Sequence, residues 1–564
     1  MAEEKVELRD INYRQVLPWT ELFRGFQVAL DPKKLLLAAG GILVMALGWY
    51  VLALIFFSSQ SEPTWADGKE GKYGSWAAFQ KERQNWNLLN HAAGNVPSVY
   101  GPDDLAENNE EYNRIRERFD QIPEVTRADI AAGRRGPIEF TIPGKNEEGE
   151  TVDKTIRVAA KPYGKMRTLP WYEDRGDNPY LLVTGQVGAR GVPWERGQFW
   201  DWLFTKQGPV LIEPLVKFLR PVVFLLNPNA GFWNQVYFLL ALLWTLATWG
   251  FFGGAITRMA AIQLTRKEKI SLGEAVRFTV SRFTSFFTAP LIPLIGVILF
   301  LVLLILFGVL HLIPLVGDII DGIGWPLVLL AGLVMAIILV GLVGWPMMYS
   351  TISTEGSDSF DALSRSYSYV LTNPWHYIWY CLVALAYGAV VVFFVGFMGS
   401  LMVYLGKWGV SQTPFIGPGY VNREPEYLFQ YAPTSYGWRE LLLQGSSSID
   451  VHGNYADPGQ WHMWNKIGAG LVAFWLYLVF LMIVGFGYSY FWTAATIIYL
   501  LMRRKVDDTE MDEVYVEEDE TEEPYSMPIT APASTSAPAG TTPLTMVEAP
   551  AAKSETPNPE SPSS

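Results

Sequence analysis

The stretch Leu291-Ile-Pro-Leu-Ile-Gly-Val-Ile-Leu-Phe-Leu-Val-Leu-Leu-Ile-Leu-Phe-Gly-Val-Leu-His-Leu312 decides the fold class. It holds no ionisable side chain before His311. A helix needs about 20 apolar residues to cross a hydrocarbon layer about 30 Å thick, and this run supplies them. Five more runs pass the same test: 35–57, 232–256, 326–347, 377–405 and 467–501. Pro290 and Pro293 interrupt the start of the 291–312 run, which predicts a kink or an unwound entry. The run from 467 is long enough to continue as a helix past the membrane face.

Composition agrees. Of 564 residues, 50% are apolar and only 18% charged, against about a quarter charged in water-soluble domains. The net charge of −13 is local. Residues 506–564 carry fourteen acids and the single base Lys553, which leaves 42 acids and 42 bases in the body. The acidity therefore belongs to the tail. The one cysteine, Cys381, rules out an intramolecular disulfide and a cysteine-rich metal site. The first apolar run follows Lys33–Lys34 and is too long for the core of a cleaved signal peptide.

Flanking bases set the expected orientation. Arg24, Lys33 and Lys34 precede the first run; Arg258, Arg266, Lys267, Lys269, Arg277 and Arg282 separate the second from the third; Arg365 lies between the fourth and fifth, and Arg503, Arg504 and Lys505 follow the sixth. The short loop 313–325 has no base and two acids, Asp318 and Asp321. Six crossings then place both termini in the cytoplasm. The expected order is a cytoplasmic segment 1–34, a first span 35–57, an extracytoplasmic insertion 58–231, four spans within 232–405, a second insertion 406–466, a sixth span in 467–505 and a disordered acidic tail 506–564. Trp233, Trp325, Trp345, Trp375 and Trp379 sit near run ends, as interfacial anchors do.

Within the first insertion, 75–132 reads as polar helices. Residues 138–142 and 155–160 alternate apolar and polar around a turn, which predicts a β-hairpin. Residues 209–226 read as an amphipathic helix with Glu213, Lys217 and Arg220 on one face. It either lies on the outer leaflet or packs on the insertion's own core. Beyond 524, Pro, Ser, Thr and Ala dominate and cannot bury enough surface to fold.

Three lead-in segments look alike. Glu21-Leu-Phe-Arg24 precedes the first span, Glu274-Ala-Val-Arg277 the third and Asp361-Ala-Leu-Ser-Arg365 the fifth. Each sets an acid one helical turn before a base. The expected fold is an all-α integral membrane protein: six transmembrane helices as three elbow-helix and hairpin units, with a small mixed α/β extracytoplasmic cap. The alternative is that any amphipathic lead-in gives this pattern.

The segment Ile352-Ser-Thr-Glu355-Gly356-Ser-Asp-Ser-Phe-Asp361-Ala362-Leu363-Ser-Arg365-Ser366 resembles a pattern in a broad group of bacterial multi-pass proteins. That group is related to the membrane domain of some glycerophosphodiester phosphodiesterases. Ile270-Ser-Leu-Gly-Glu274-Ala275 fits more loosely. The resemblance spans roughly 232–401 and implies a helical module of a bacterial inner membrane. It implies no phosphodiesterase activity, because that domain's signature residues are not recognisable.

Chemistry-bearing motifs are missing. There is no G-x-x-x-x-G-K-[ST], no H-E-x-x-H and no G-x-S-x-G. The six runs hold essentially no ionisable residue, which disfavours a proton-coupled transporter. His452 and His462 with Asp450 and Asp457 are the only metal candidates, and the expectation is that they are unliganded. No catalytic, cofactor or metal site is expected, and no nucleic-acid partner. The unusual feature is the aromatic content of the insertions: Trp171, Trp194, Trp200, Trp202, Trp408, Tyr431 and Trp438 form a candidate binding surface. Packing of the two insertions on each other and on the lipid surface explains the same residues and predicts one joint cap. The leading expectation is a non-enzymatic scaffold or accessory subunit with partners in the bilayer, the cap or the tail. The competing one is a channel or transporter-like module for lipids or apolar solutes. A third is an enzyme with scattered residues in the outer domain.

Overall fold

Local signals convert into elements through their caps. The Asp31 carboxylate accepts from the Lys33 backbone N–H at 3.0 Å and opens helix α2 (Pro32–Phe57), with Pro in the first turn where its missing donor costs nothing. It is preceded by a 3-10 turn (Pro18–Phe23) and helix α1 (Arg24–Ala29). The structure, a computed structural model, describes residues 17–57, 61–65, 73–93, 98–131, 136–145, 151–161, 166–173, 175–184, 208–227, 230–313, 316–412, 426–443 and 462–516.

In chain order the insertion supplies α3 (Trp76–Ala93), α4 (Pro102–Leu105), α5 (Asn109–Asp120) and α6 (Glu124–Ala131). These are the polar helices expected in 75–132. The antiparallel hairpin β1 (Ile138–Lys145) and β2 (Thr151–Val158) follows, in the register Ile138↔Val158 to Lys145↔Thr151. Next come α7 (Pro179–Val183), α8 (Gly208–Leu211) and α9 (Glu213–Leu225). The long helix α10 (Phe232–Thr265) leads to α11 (Leu272–Ser281), α12 (Phe283–Thr288), α13 (Leu291–Val309) and α14 (Val316–Leu342). After them come α15 (Trp345–Glu355), α16 (Ser359–Thr372), α17 (Pro374–Ser411), α18 (Trp438–Leu443) and α19 (Met463–Asp507).

Six of these helices, α2, α10, α13, α14, α17 and α19, are long and apolar enough to cross a membrane. The expected runs differ from them at the fourth. That run, read as 326–347, is the C-terminal part of a helix that starts at Val316 and carries Pro326 inside it. The loop read at 313–325 is therefore mostly helical. Gly344 then breaks the chain, and α15 begins a separate helix whose residues Trp345 to Thr354 are all buried. Trp345 is consequently a core residue and not an interfacial anchor, unlike the exposed Trp233, Trp325, Trp375 and Trp379. At its other end α15 stops on Gly356, whose φ of 66° is the left-handed conformation that glycine adopts without a Cβ clash.

Helices α2, α10 and α19 pack on one another, with α15 against both α10 and α19. This is where the apolar core sits. Gly253 makes it possible, because a Cβ there would stand 2.8 Å from the Trp492 ring. Helices α13 and α14 pair with each other, and no residue in the central window of α14 is buried. Many of their leucine and isoleucine side chains are exposed, Leu299, Leu306, Leu327 and Leu330 among them. The insertion has a second, small core around Tyr112, Ile115, Ile142 and Ile156. An ionic lock ties it together. Arg83 donates to Asp104 at 2.7 and 3.0 Å, and Lys161 pairs with the same carboxylate at 2.8 Å. Burial pushes the Asp104 pKa up, but these two cations outweigh it and hold the carboxyl well below its usual range.

Candidate functional site

Helix α9 shows what the insertion is for. On its charged face Glu213 and Lys217 are buried and Arg220 is half-buried, while Leu219, Val223 and Leu226 are exposed. An interfacial helix would have its charges out. Here the helix packs on the bundle with Glu213 and Lys217 inward beside the buried Pro214, Phe218, Pro221 and Val222. Leu211 reaches Gly388 of α17, Phe218 stacks on Trp345 at 4.5 Å, and Phe224 stacks on Phe238 at 5.2 Å. Residues 208–225 thus lie among the long helices rather than only beyond their ends.

At this depth Glu173 and Arg175 meet Glu213 and Lys217. Arg175 grips Glu213 with two bonds, Nε to Oε2 at 3.1 Å and Nη2 to Oε1 at 3.0 Å. It also donates to Glu173 at 2.9 Å, to Ser435 at 3.0 Å and to the Pro170 carbonyl. Lys217 pairs with Glu173 at 3.1 Å and with Glu213 at 2.5 Å. The Tyr488 hydroxyl of α19 donates to Glu213 at 3.1 Å. All four charged side chains are buried. At 1.5 Å rise per residue, Tyr488 stands about 38 Å from the Met463 end of α19 and about 29 Å from its Asp507 end.

The second insertion closes this site. Tyr436 takes a left-handed backbone with φ 55°, rare for a residue with a Cβ, and Gly437 follows at φ 58°. That bend presents the Tyr436 carbonyl to the Asn178 amide at 3.0 Å, and the same amide reaches Ser400 of α17 at 3.1 Å. Thr434 N–H donates to the Trp171 carbonyl at 3.1 Å. The two insertions therefore join, as one cap would require.

The aromatic surface is not gathered as expected. Trp438 is no surface residue: it is buried edge-on to Phe480. Trp171 is half-buried against Tyr477, because it fills the seam between cap and α19. Trp408 and Tyr431 are exposed. Trp194, Trp200 and Trp202 lie outside the described residues, as do His452, Asp450 and Asp457. Among the described residues no group of three or more His, Cys, Asp or Glu could hold a metal.

The lead-in charges split into two uses. Glu21 pairs with Arg24 at 2.8 Å and Asp361 with Arg365 at 3.2 Å. Glu274 instead accepts from the Ser271 backbone at 2.7 Å, closing a capping box at the start of α11, which also carries Arg277. Arg365 goes further and joins Glu355 at 3.0 Å. Glu355 also accepts from Tyr499 at 2.5 Å and pairs with Arg503 at 3.6 Å.

The start of the acidic tail belongs to this basic end and is folded. Arg503, near the end of α19, donates to the carbonyls of Glu510 (3.1 Å) and Glu513 (2.8 Å) beyond it. Tyr515 N–H donates to Thr354 O at 2.7 Å, and Arg258 donates to Tyr515 O at 2.9 Å. The tail read as 506–564 is thus pinned as far as Tyr515, and residues 517–564 lie outside the described residues.

No family model, no curated protein and no solved structure matches the chain.

Proposed function

We propose that the chain is a multi-pass protein of a bacterial inner membrane with both termini cytoplasmic. In this reading α1, α11–α12 and α16 are elbow helices, each leading into a transmembrane hairpin, which extends the likeness to the phosphodiesterase-related membrane module. We further propose that it acts as a non-enzymatic scaffold or accessory subunit. One observation carries that role: Glu173, Arg175, Glu213 and Lys217 pair with one another deep in the bundle and tie the cap to the helices. Such closure suits a platform better than a turnover site. Gly399 of α17 serves close packing, since a Cβ there would meet Ile483 at 2.2 Å.

Two measurements test these statements. In a Cys381→Ser background, single cysteines at the exposed positions Glu110 and Lys269 are expected to react with an impermeant maleimide from opposite sides. Labelling of both from one side overturns the six-span topology. For the role, native mass spectrometry of the chain extracted gently from its own membranes is expected to show a stoichiometric protein partner. A bare chain overturns the scaffold reading in favour of a module moving lipids or apolar solutes.

A further inference from the structure

Beside the buried ion cluster stands a cation that takes no part in its pairing. Glu173 and Glu213 pair with Arg175 and Lys217. Arg220, one turn beyond Lys217 on the same face of α9, answers to none of the described acids by contact. Its Nη1 is shielded from solvent and has no hydrogen-bond partner. Burial pulls its pKa down, with Glu173 and Glu213 acting more weakly the other way. A shielded guanidinium donor left unpaired costs more than an ordinary lost hydrogen bond, and the Arg220 side chain is only half-buried, so a small rotamer shift would carry that donor to an acceptor at the open edge of α9.

The surroundings say what kind. Arg220 lies at the border between the charged inner face of α9 and its outer stripe. That stripe is apolar and uncovered: Leu219 is 36% exposed, Val223 65% and Leu226 42%. A ligand that satisfies both would carry an anionic head beside a hydrocarbon body. Guanidinium binds phosphate through two parallel N–H bonds, with geometry that a point charge lacks. A free anion would meet the guanidinium equally well and leave Leu219, Val223 and Leu226 bare.

We propose that Arg220 holds the phosphate of one anionic phospholipid, whose acyl chains run along Leu219, Val223 and Leu226. The inference rests on the membrane reading of the chain and is independent of its scaffold role. The lipid would neutralise Arg220 and cover the exposed stripe of α9.

The test uses the full-length chain, purified and titrated in detergent with phosphatidylglycerol, phosphatidylcholine or inorganic phosphate, with lipid retention read by native mass spectrometry. One phosphatidylglycerol per chain is expected, retained over phosphatidylcholine and not displaced by millimolar phosphate. Arg220→Gln is expected to weaken retention by about tenfold, the scale of one charge-assisted hydrogen bond. Arg220→Lys should lie between the two, and Arg116→Gln, on the insertion's exposed surface, should match the wild type. Equal retention of the two lipids overturns the proposal, as does unchanged retention by a folded Arg220→Gln. Displacement by inorganic phosphate shows a free-anion site and overturns the lipid assignment. If Arg220→Gln does not fold, the wild-type competition and Arg220→Lys decide. A missing protein partner leaves this result untouched, so the two readings fail separately.

Discussion

Arg175→Met is expected to cost about 3–5 kcal/mol, enough to leave little folded protein in detergent. The reasoning turns on what remains. Arg175 is the one residue bonded to both carboxylates and to Ser435 of the second insertion. Removing it leaves Glu173 and Glu213 facing each other with Lys217 as their shared direct cation. Both carboxylates then lose the guanidinium that bonds them, and Arg220, which touches neither, offers them charge without hydrogen bonds. The cost of breaking such a group exceeds what the intact group contributes, because desolvation already consumes most of the Coulomb attraction. Two controls separate this from generic fragility. Arg116→Ala removes an exposed pair with Asp120 and should change stability by less than about 1 kcal/mol. Arg175→Met combined with Glu213→Leu should be milder than the sum of the two single changes, since the second removes the charge stranded by the first. The readout is the midpoint of thermal unfolding by fluorescence-detected size exclusion in one detergent. A single mutant that melts with the wild type would mean that the cluster is hydrated and contributes no closure.

The contrast between this cluster and the spans shows what a sequence can disclose. The long helices were legible because an apolar run of span length has few other uses. The hairpin was legible from alternation. The cluster was not legible. Glu173 and Arg175 sit about forty residues from Glu213, and no local pattern joins them. The charged face of α9 was visible, but a charged stripe on one side of a helix does not say which side is wet. In water the charges go out; inside a bundle set in an apolar medium they go in and the leucines go out. Counting ionisable residues only within the six runs therefore missed charges that the bundle borrows from an insertion. The same limit hid the docking of Tyr515, which depends on a gap above Gly356 that no spacing rule marks.

Trp492→Ala is expected to cost about 3–5 kcal/mol through packing alone, with no charge involved. Trp492 is fully buried where α10, α15 and α19 meet. Its ring stacks on Tyr349 at 5.0 Å with 5° between planes, stands edge-on to Trp345 at 5.2 Å and lies 6.2 Å from Trp249. Gly253 exists to admit it, since a Cβ there would touch the ring at 2.8 Å. The surrounding rings are held by their own backbones, so the hole left by truncation cannot collapse, and the lost contacts come on top of the lost burial. A second consequence distinguishes this mutant from Arg175→Met. Phe218 of α9 stacks on Trp345, so the cavity should loosen α9 while leaving the ion cluster intact. Hydrogen exchange is expected to rise in 213–225 and 345–355 but not in the insertion's separate core around Ile115. Trp375→Ala, with a ring 80% exposed, should leave both exchange and melting nearly unchanged in detergent. Equal losses for Trp375 and Trp492 would show that detergent contact, and not the aromatic junction, sets the stability of the bundle. A loss at Trp492 confined to the 345–355 segment would mean that α9 is held by its charges alone.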